Sequence, residues 1–309
     1  MSLRGAYFIH NARVPIAVDL SNAGATANGT TVVAWEQRSW DNANDFTASN
    51  QLWLIKPVPN AADTYTVQNI KSGTFLDLQG KFISSSMLVT FLGSSANQTP
   101  IVGWEGNNGN SQKWIIKKDI SGAYRFQNVA SKTFMDLFNG GSANGTRIYG
   151  WNGSWDSTSD DSFHKRWSLK RASQTSAEVS LLVRNNPDIT VDFKSYLLDG
   201  DYIILPEGIW QTIWNGSGLR NRPWRSEIFD CDDFAVVYKG AVATWGADNI
   251  RADGIAILCG IMLGRAKVGV GAHAYNFNIN TRFDAVRFFE PQTNAFQNQT
   301  NYNAYLGFF

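Results

Sequence analysis

Short runs in which apolar and polar residues alternate dominate the first half of the chain. Tyr65-Thr-Val-Gln68 and Thr133-Phe-Met-Asp136 are typical, with Gly, Asn and Ser between runs. A period of two, broken by turn formers, predicts β-strands and turns rather than helices. A polar stretch, Ala172-Ser-Gln-Thr-Ser176, ends this pattern. Beyond it, 177–184 and 232–245 show helical composition and spacing, while Tyr202-Ile-Ile-Leu205, His273 to Ile279 and Val286-Arg-Phe-Phe289 read as strands. The pattern therefore predicts two domains, an all-β one over 1–171 and an α+β one over 172–309. A length of 309 residues suffices for two cores of ordinary size.

The β half repeats itself. Tyr7-Phe-Ile-His-Asn11, Tyr65-Thr-Val-Gln-Asn69 and Tyr124-Arg-Phe-Gln-Asn128 align without gaps at a period of 58 to 59 residues. Eight residues after each Asn stands an Asp-Leu pair, beginning at Asp19, Asp77 and Asp136. Each copy then reaches Asn28-Gly-Thr, Asn97-Gln-Thr or Asn144-Gly-Thr, and seven residues past that Asn a tryptophan, Trp35, Trp104 or Trp151. Each closes on a second tryptophan, in Gln51-Leu-Trp53, Gln112-Lys-Trp114 and Lys165-Arg-Trp167. Three copies predict a closed β structure with pseudo-threefold symmetry. Repeat two carries an extra apolar stretch over 82–91, which would block or reshape its site.

Composition narrows the ligand. Net charge is +1, so no electrostatic footprint for nucleic acid or an anionic membrane exists, and no nucleic acid partner is expected. Twelve tryptophans offer aromatic planes. A pyranose has an apolar face and a rim of hydroxyls, so it needs one such plane plus fixed acceptors and donors, and an ionised carboxylate is the strongest acceptor available. Residues 1–10 lack a basic segment and an apolar run, and no stretch reaches the ~20 apolar residues of a membrane span, which predicts a soluble, cytoplasmic chain without a signal peptide. Two cysteines, Cys231 and Cys259, read as free thiols, and the Asn-x-Thr tripeptides then carry no glycan.

Residues 1–171 resemble the ricin-B-type lectins, whose β-trefoil carries three Gln-x-Trp motifs. The resemblance implies that Asp19, Asp77 and Asp136 accept sugar hydroxyls and that Trp35, Trp104 and Trp151 stack on the ring. It further implies that the residue before the motif, Asn50, Ser111 or His164, adds a polar contact. Capping the barrel's loops is the other role open to Trp35, Trp104 and Trp151. Trp53, Trp114 and Trp167 lie in hydrophobic strands and are read as core.

In the second half, Cys259 lies in an apolar run and is read as core, whereas Cys231 opens a predicted helix. A helix N-terminus favours the thiolate, but Asp230, Asp232 and Asp233 oppose it. The base such a thiol needs can only be His273, since the other histidines, His10 and His164, lie in the β half. Glu290 is the best group to orient it. The words Trp224-Arg-Ser-Glu-Ile-Phe-Asp-Cys-Asp-Asp-Phe234, Ala272-His-Ala-Tyr-Asn276 and Phe288-Phe-Glu-Pro-Gln292 resemble the mushroom chimerolectin family of the Marasmius oreades agglutinin. That resemblance covers nearly the whole chain. It implies a multidomain protein in which a β-trefoil binding galactose-containing glycans precedes a papain-like cysteine protease, activated by calcium or manganese. In that reading Cys231 is the nucleophile, His273 the base, Glu290 its orienter and Trp224 an oxyanion donor. Asp232 and Asp233 are then expected to hold the metal, although solvated helix N-terminal residues are the other role open to them. The family likeness also implies a homodimer through the C-terminal domain, a peptide substrate, and a defence toxin acting on external glycans after uptake. The rival reading is a non-enzymatic dimeric agglutinin whose C-terminal domain only dimerises.

Overall fold

The computed structural model describes residues 3–40, 46–85, 88–156 and 160–309. The chain divides into two compact units. One holds Met1–Arg38, Thr47–Arg171 and Ile250–Asp253, the other Ser39–Phe46, Ala172–Asn249 and Gly254–Phe309. A single cut after Arg171 therefore misses two short segments that belong to the unit other than that of their sequence neighbours.

Six strands of the first unit close on themselves through antiparallel pairing. Their cyclic order is Gly5–Asn11, Leu52–Pro57, Thr64–Asn69, Lys113–Lys118, Tyr124–Asn128 and Trp167–Arg171, the last returning to the first. Each repeat adds one hairpin: Ile16–Leu20 with Thr30–Glu36, Phe75–Leu78 with Thr99–Trp104, and Phe134–Leu137 with Thr146–Trp151. The second strands of the three hairpins pair with one another in every combination. A six-stranded barrel capped by a triangle of hairpins is a β-trefoil, and its closure leaves the barrel no open sheet edge.

The repeated residues explain the closure. Trp53, Trp114 and Trp167 are fully buried, and their indole N–H groups donate to the carbonyls of Val18, Leu76 and Met135 at 2.9, 2.8 and 3.1 Å, tying each barrel strand to a hairpin. They are core, as their strands predict. The Asn-x-Thr tripeptides interlock the repeats. Asn28 Oδ1 accepts from the Glu105 N–H, Asn97 Oδ1 from Asn152 and Asn144 Oδ1 from Glu36, each at 2.7 Å, so every repeat caps the strand end of the next. In repeat two the extra stretch forms a further hairpin, Gly80–Ser85 with Leu88–Gly93, whose second strand lies against the turn Asn110–Gln112.

The second unit is α+β. A six-stranded sheet runs in the order Ile189–Tyr196, Tyr302–Phe308, Gly260–Ala266, Ala272–Ile279, Val286–Glu290 and Ala295–Gln297, beside a small sheet of Ser173–Thr175, Asp201–Ile203 and Ala256–Ile257. Its helices include Ser176–Arg184, started by a Thr175/Glu178 capping box, and Cys231–Asn249. The latter packs on the strand Ala272–Ile279. Ala235, Ile261 and Ala274 form the seam, and buried Asn276 Nδ2 donates to the Ala235 carbonyl at 3.0 Å. Cys259 is buried and burial pushes its thiol up to about 12, in keeping with a core role. Among the described residues no helix is long and apolar enough to cross a membrane.

Candidate functional site

The repeats place Asp19, Asp77 and Asp136 equivalently, each on the first strand of a cap hairpin and only 2, 6 and 3% exposed. The Gln-x-Trp turn converges on each. Asn50 Nδ2 and Gln51 Nε2 donate to Asp19 Oδ2 at 2.8 and 3.0 Å. Ser111 Oγ donates to Asp77 Oδ2 at 3.3 Å. Lys165, standing where the other repeats have glutamine, brings Nζ to 2.7 Å from Asp136 Oδ2. The Asn50 and Gln51 bonds both fall on Oδ2, so the fold holds that carboxylate oxygen of Asp19.

In repeats one and two the motif glutamine also fixes the loop after the strand-end tryptophan. Gln51 donates to the Glu36 carbonyl and accepts from the Arg38 N–H, both at 2.9 Å. Gln112 donates to Glu105 at 2.8 Å and accepts from Asn107 at 3.0 Å. Lys165 can donate but not accept, so repeat three lacks this tie. Trp35, Trp104 and Trp151 end or nearly end their strands and are half-buried. His164 is half-buried, edge-on to Phe163 at 4.4 Å. Arg38 Nε stands 3.8 Å from Asp19 Oδ2, and the guanidinium lies 5.7 Å over the Trp35 ring. Neither Arg38 nor the motif glutamines were expected at the site. The glutamines had a visible signal, their fixed place before Trp, whereas Arg38 lies in a loop without regular pattern.

Electrostatics separates the three carboxyls. Burial raises all of them above the ordinary carboxylate value. Arg38 offsets this at Asp19, Lys165 and His164 at Asp136. Asp77 has only the neutral donors Gln112 and Ser111, and it rises to about 6.

In the second unit, His273 Nε2 meets Glu290 Oε2 at 2.5 Å, and Glu290 Oε1 accepts from the Gln292 N–H at 3.1 Å. The His273 ring lies 4.9 Å from that of Tyr302. Cys231, first residue of its helix, is half-buried at the edge of the Ala235/Ile261/Ala274 seam, and the Ala274 N–H faces its sulfur. The fold thus brings the thiol beside the residue that follows His273. Burial first, and then Asp230 and Asp232, raise the thiol above its ordinary value, outweighing the backbone N–H groups. Helix-terminal activation, taken alone, does not prevail.

Two expected site residues stand differently. Asp233 Oδ2 accepts from the Asp230 N–H at 3.2 Å and so closes the helix N-terminus. Asp230 and Asp232 instead hydrogen-bond each other, which holds Asp230 low and Asp232 high, and their carboxylates lie with the Cys231 sulfur inside 4.8 Å. The acidic pair beside the thiol is therefore Asp230 and Asp232, not Asp232 and Asp233. Trp224 is 56% exposed and makes no bond or ring contact with Cys231, His273 or Glu290 among the described residues.

Two family descriptions match this chain, the ricin-type beta-trefoil lectin domain-like family over residues 49–151 and the agglutinin C-terminal family over 202–296. The crystal structure of Polyporus squamosus lectin bound to the human-type influenza-binding epitope Neu5Acα2-6Galβ1-4GlcNAc is 37% identical, with a TM-score of 0.82 and 100% of both chains covered. The chain belongs to the family of the Polyporus squamosus lectin. The PSL1a-E64 complex is 36% identical, also over 100% of both chains, with a TM-score of 0.81. No match is found among curated protein sequences. As a member of this family the chain is a ricin-B-type carbohydrate-binding lectin with an agglutinin C-terminal domain. The trefoil carboxylates are accordingly the sugar-binding candidates of a lectin, and the Cys231 cluster belongs to its agglutinin C-terminal domain.

Proposed function

We propose that this lectin binds galactose-containing glycans through Asp19 and Asp136, and that its C-terminal unit is a papain-like cysteine endopeptidase acting as a dimer. The observation that carries the protease reading is the His273–Glu290 pair, with the residue after His273, Ala274, packed against a cysteine at a helix N-terminus. With Nε2 held by Glu290, Nδ1 of His273 is the nitrogen left to take the Cys231 proton. The thiolate then attacks the scissile carbonyl. The C–N bond breaks as His273 returns the proton to the leaving amine, and water hydrolyses the thioester. Asp230 and Asp232 fit a hard divalent cation such as calcium or manganese, because each offers a carboxylate oxygen and these lie within 4.8 Å of each other. Bound, it would supply the positive charge that favours the thiolate. The relative solved with E64, an epoxide reagent for activated thiols, supports this reading. The raised thiol favours its rival, a non-enzymatic agglutinin.

Mass spectrometry after E64 treatment tests it. The expected result is one adduct on Cys231, formed at least tenfold faster with calcium than with chelator, and none on Cys259. An unlabelled Cys231 in both conditions points to the rival. For the sugar sites, alanine at Asp19 or Asp136 would strip buried donors of their acceptor, which makes asparagine the cleaner change. Asp19→Asn with Asp136→Asn is expected to weaken galactoside binding at least tenfold by titration calorimetry, with Tm moved by a few degrees at most.

A further inference from the structure

Repeat one is wired differently from its two copies. At the position before the repeat's Asn it has His10, where the others have Gln68 and Gln127. Two residues after its surface tryptophan it has Gln37, where the others have Gly106 and Gly153. Two residues before its Asp it has Ala17, where the others have Phe75 and Phe134. The three positions meet in space. His10 pairs with Ala17 across the strands, as Gln68 does with Phe75 and Gln127 with Phe134. A Cβ on Gly106 would come within 2.8 Å of Phe75, and one on Gly153 within 2.9 Å of Phe134. In repeats two and three, then, a phenyl ring fills the space and the loop crosses it as glycine. In repeat one the small Ala17 leaves that space to the Gln37 side chain.

Gln37 uses the space to join a chain of hydrogen bonds. Its Nε2 donates to the Arg38 carbonyl at 2.8 Å and to Gln51 Oε1 at 3.2 Å. Its Oε1 is thereby turned to His10, whose Nε2–H donates to it across 2.5 Å. Gln51 in turn donates to Asp19 and holds Glu36 and Arg38. The equivalent glutamines of the other repeats do none of this, for Gln68 and Gln127 donate to their own turns, at the carbonyls of Gly73 and Lys132.

We infer that His10 is a positioning residue of the first sugar site, fixing the loop Glu36–Arg38 over Asp19 through Gln37, a link in whose place the two copies have a phenyl ring packed on a loop glycine. The inference rests on reading Asp19 as a sugar-binding carboxylate. It makes the affinity of one site in three depend on a histidine that touches no ligand.

The test uses the full chain carrying Asp77→Asn and Asp136→Asn, so that site one dominates, titrated with Galβ1-4GlcNAc by calorimetry. His10→Phe removes the donor, and Gln37→Ala removes the link. Each is expected to weaken binding about five- to tenfold, the loss of one hydrogen bond's worth of preorganisation. The double variant is expected to bind no more weakly than either single one, because both break the same chain. His10→Gln, whose amide nitrogen reaches the place of Nε2, should stay within about twofold of the parent. Unchanged affinity in His10→Phe, or additive losses in the double variant, would overturn the inference. Should His10→Phe fail to fold, Gln37→Ala alone decides, since a half-buried loop side chain is dispensable for folding. A parent that does not bind at all overturns the sugar-site reading itself, and shows it before His10 is changed.

Discussion

Replacing Cys231 with alanine is expected to abolish peptide cleavage, by at least about 10³-fold in kcat/KM, while glycan binding stays unchanged. Removing the sulfur removes the atom that would form the proposed thioester, and among the described residues the only other thiol, Cys259, is buried and pushed up to about 12 by that burial. The trefoil closes through its own six strands and carries all its carboxylate sites within the first unit, so it has no use for the thiol. The pH profile carries the cation argument. The Cys231 thiol titrates above its ordinary value because of burial and two aspartates, so in chelator the thiolate, and with it any activity, grows towards alkaline pH. A cation on Asp230 and Asp232 removes the aspartate contribution and should move that rise to lower pH. Cleavage of a fluorogenic peptide against pH, with calcium, with manganese and with chelator, in wild type and Cys231→Ala, reads both effects. Residual cleavage in the variant would rule out Cys231 as nucleophile, and identical profiles with and without metal would rule out the cation role.

The repeat made the trefoil legible, because three Tyr-to-Asn segments that align without gaps, each with an Asp-Leu pair eight residues on and two tryptophans after it, admit few closed arrangements. What periodicity did not convey was which residues join the copies. Asn28 and Glu105 lie 77 residues apart and Asn97 and Asn152 lie 55 apart, so the Asn-x-Thr words looked like landmarks until the strands were paired. The motif glutamines were passed over for a similar reason, since a spacing rule marks a position without saying what its side chain touches. In the second unit, the helix bearing Cys231 and the strands bearing His273 and Glu290 followed from local pattern. The division of labour among three neighbouring aspartates did not, because whether Asp233 or Asp232 turns back to the helix N-terminus is decided by one side-chain torsion.

Asp119→Ala should cost the trefoil about 3 to 5 kcal/mol near pH 7, because it uncovers a buried charge cluster that no repeat motif announces. The side chains of Asp119 and Arg125 are fully buried, and Asp119 Oδ2 accepts from Arg125 Nε and Arg166 Nε, both at 2.9 Å, while Oδ1 accepts from Ser121. Arg125 also donates to the Ser154 carbonyl at 2.8 Å. Alanine removes the carboxylate oxygen that both guanidinium groups share, and the Arg125 side chain has no access to water to replace it. Burial alone would raise the Asp119 carboxyl, but Ser121, Arg125 and Arg166 together hold it far below the ordinary 3.8. A lowered carboxyl contributes stability that is present above the unfolded value and is lost as pH falls through the folded one, so the deficit of Asp119→Ala should shrink only below about pH 4. Asp77 runs the other way. Its folded value of about 6 lies above 3.8, so folding takes up a proton between those values and the charged carboxylate is a liability at higher pH. Asp77→Asn is therefore expected to stabilise by about 1 to 3 kcal/mol at pH 8 and to give nothing near pH 4. Urea midpoints of the wild type and both variants at pH 3, 4, 6 and 8 check both: the Asp77→Asn gain should grow from pH 4 to 8, while the Asp119→Ala deficit should stay level there and shrink only at pH 3. A flat Asp77→Asn gain, or an Asp119→Ala deficit undiminished at pH 3, would mean that the carboxyl does not titrate where its surroundings place it.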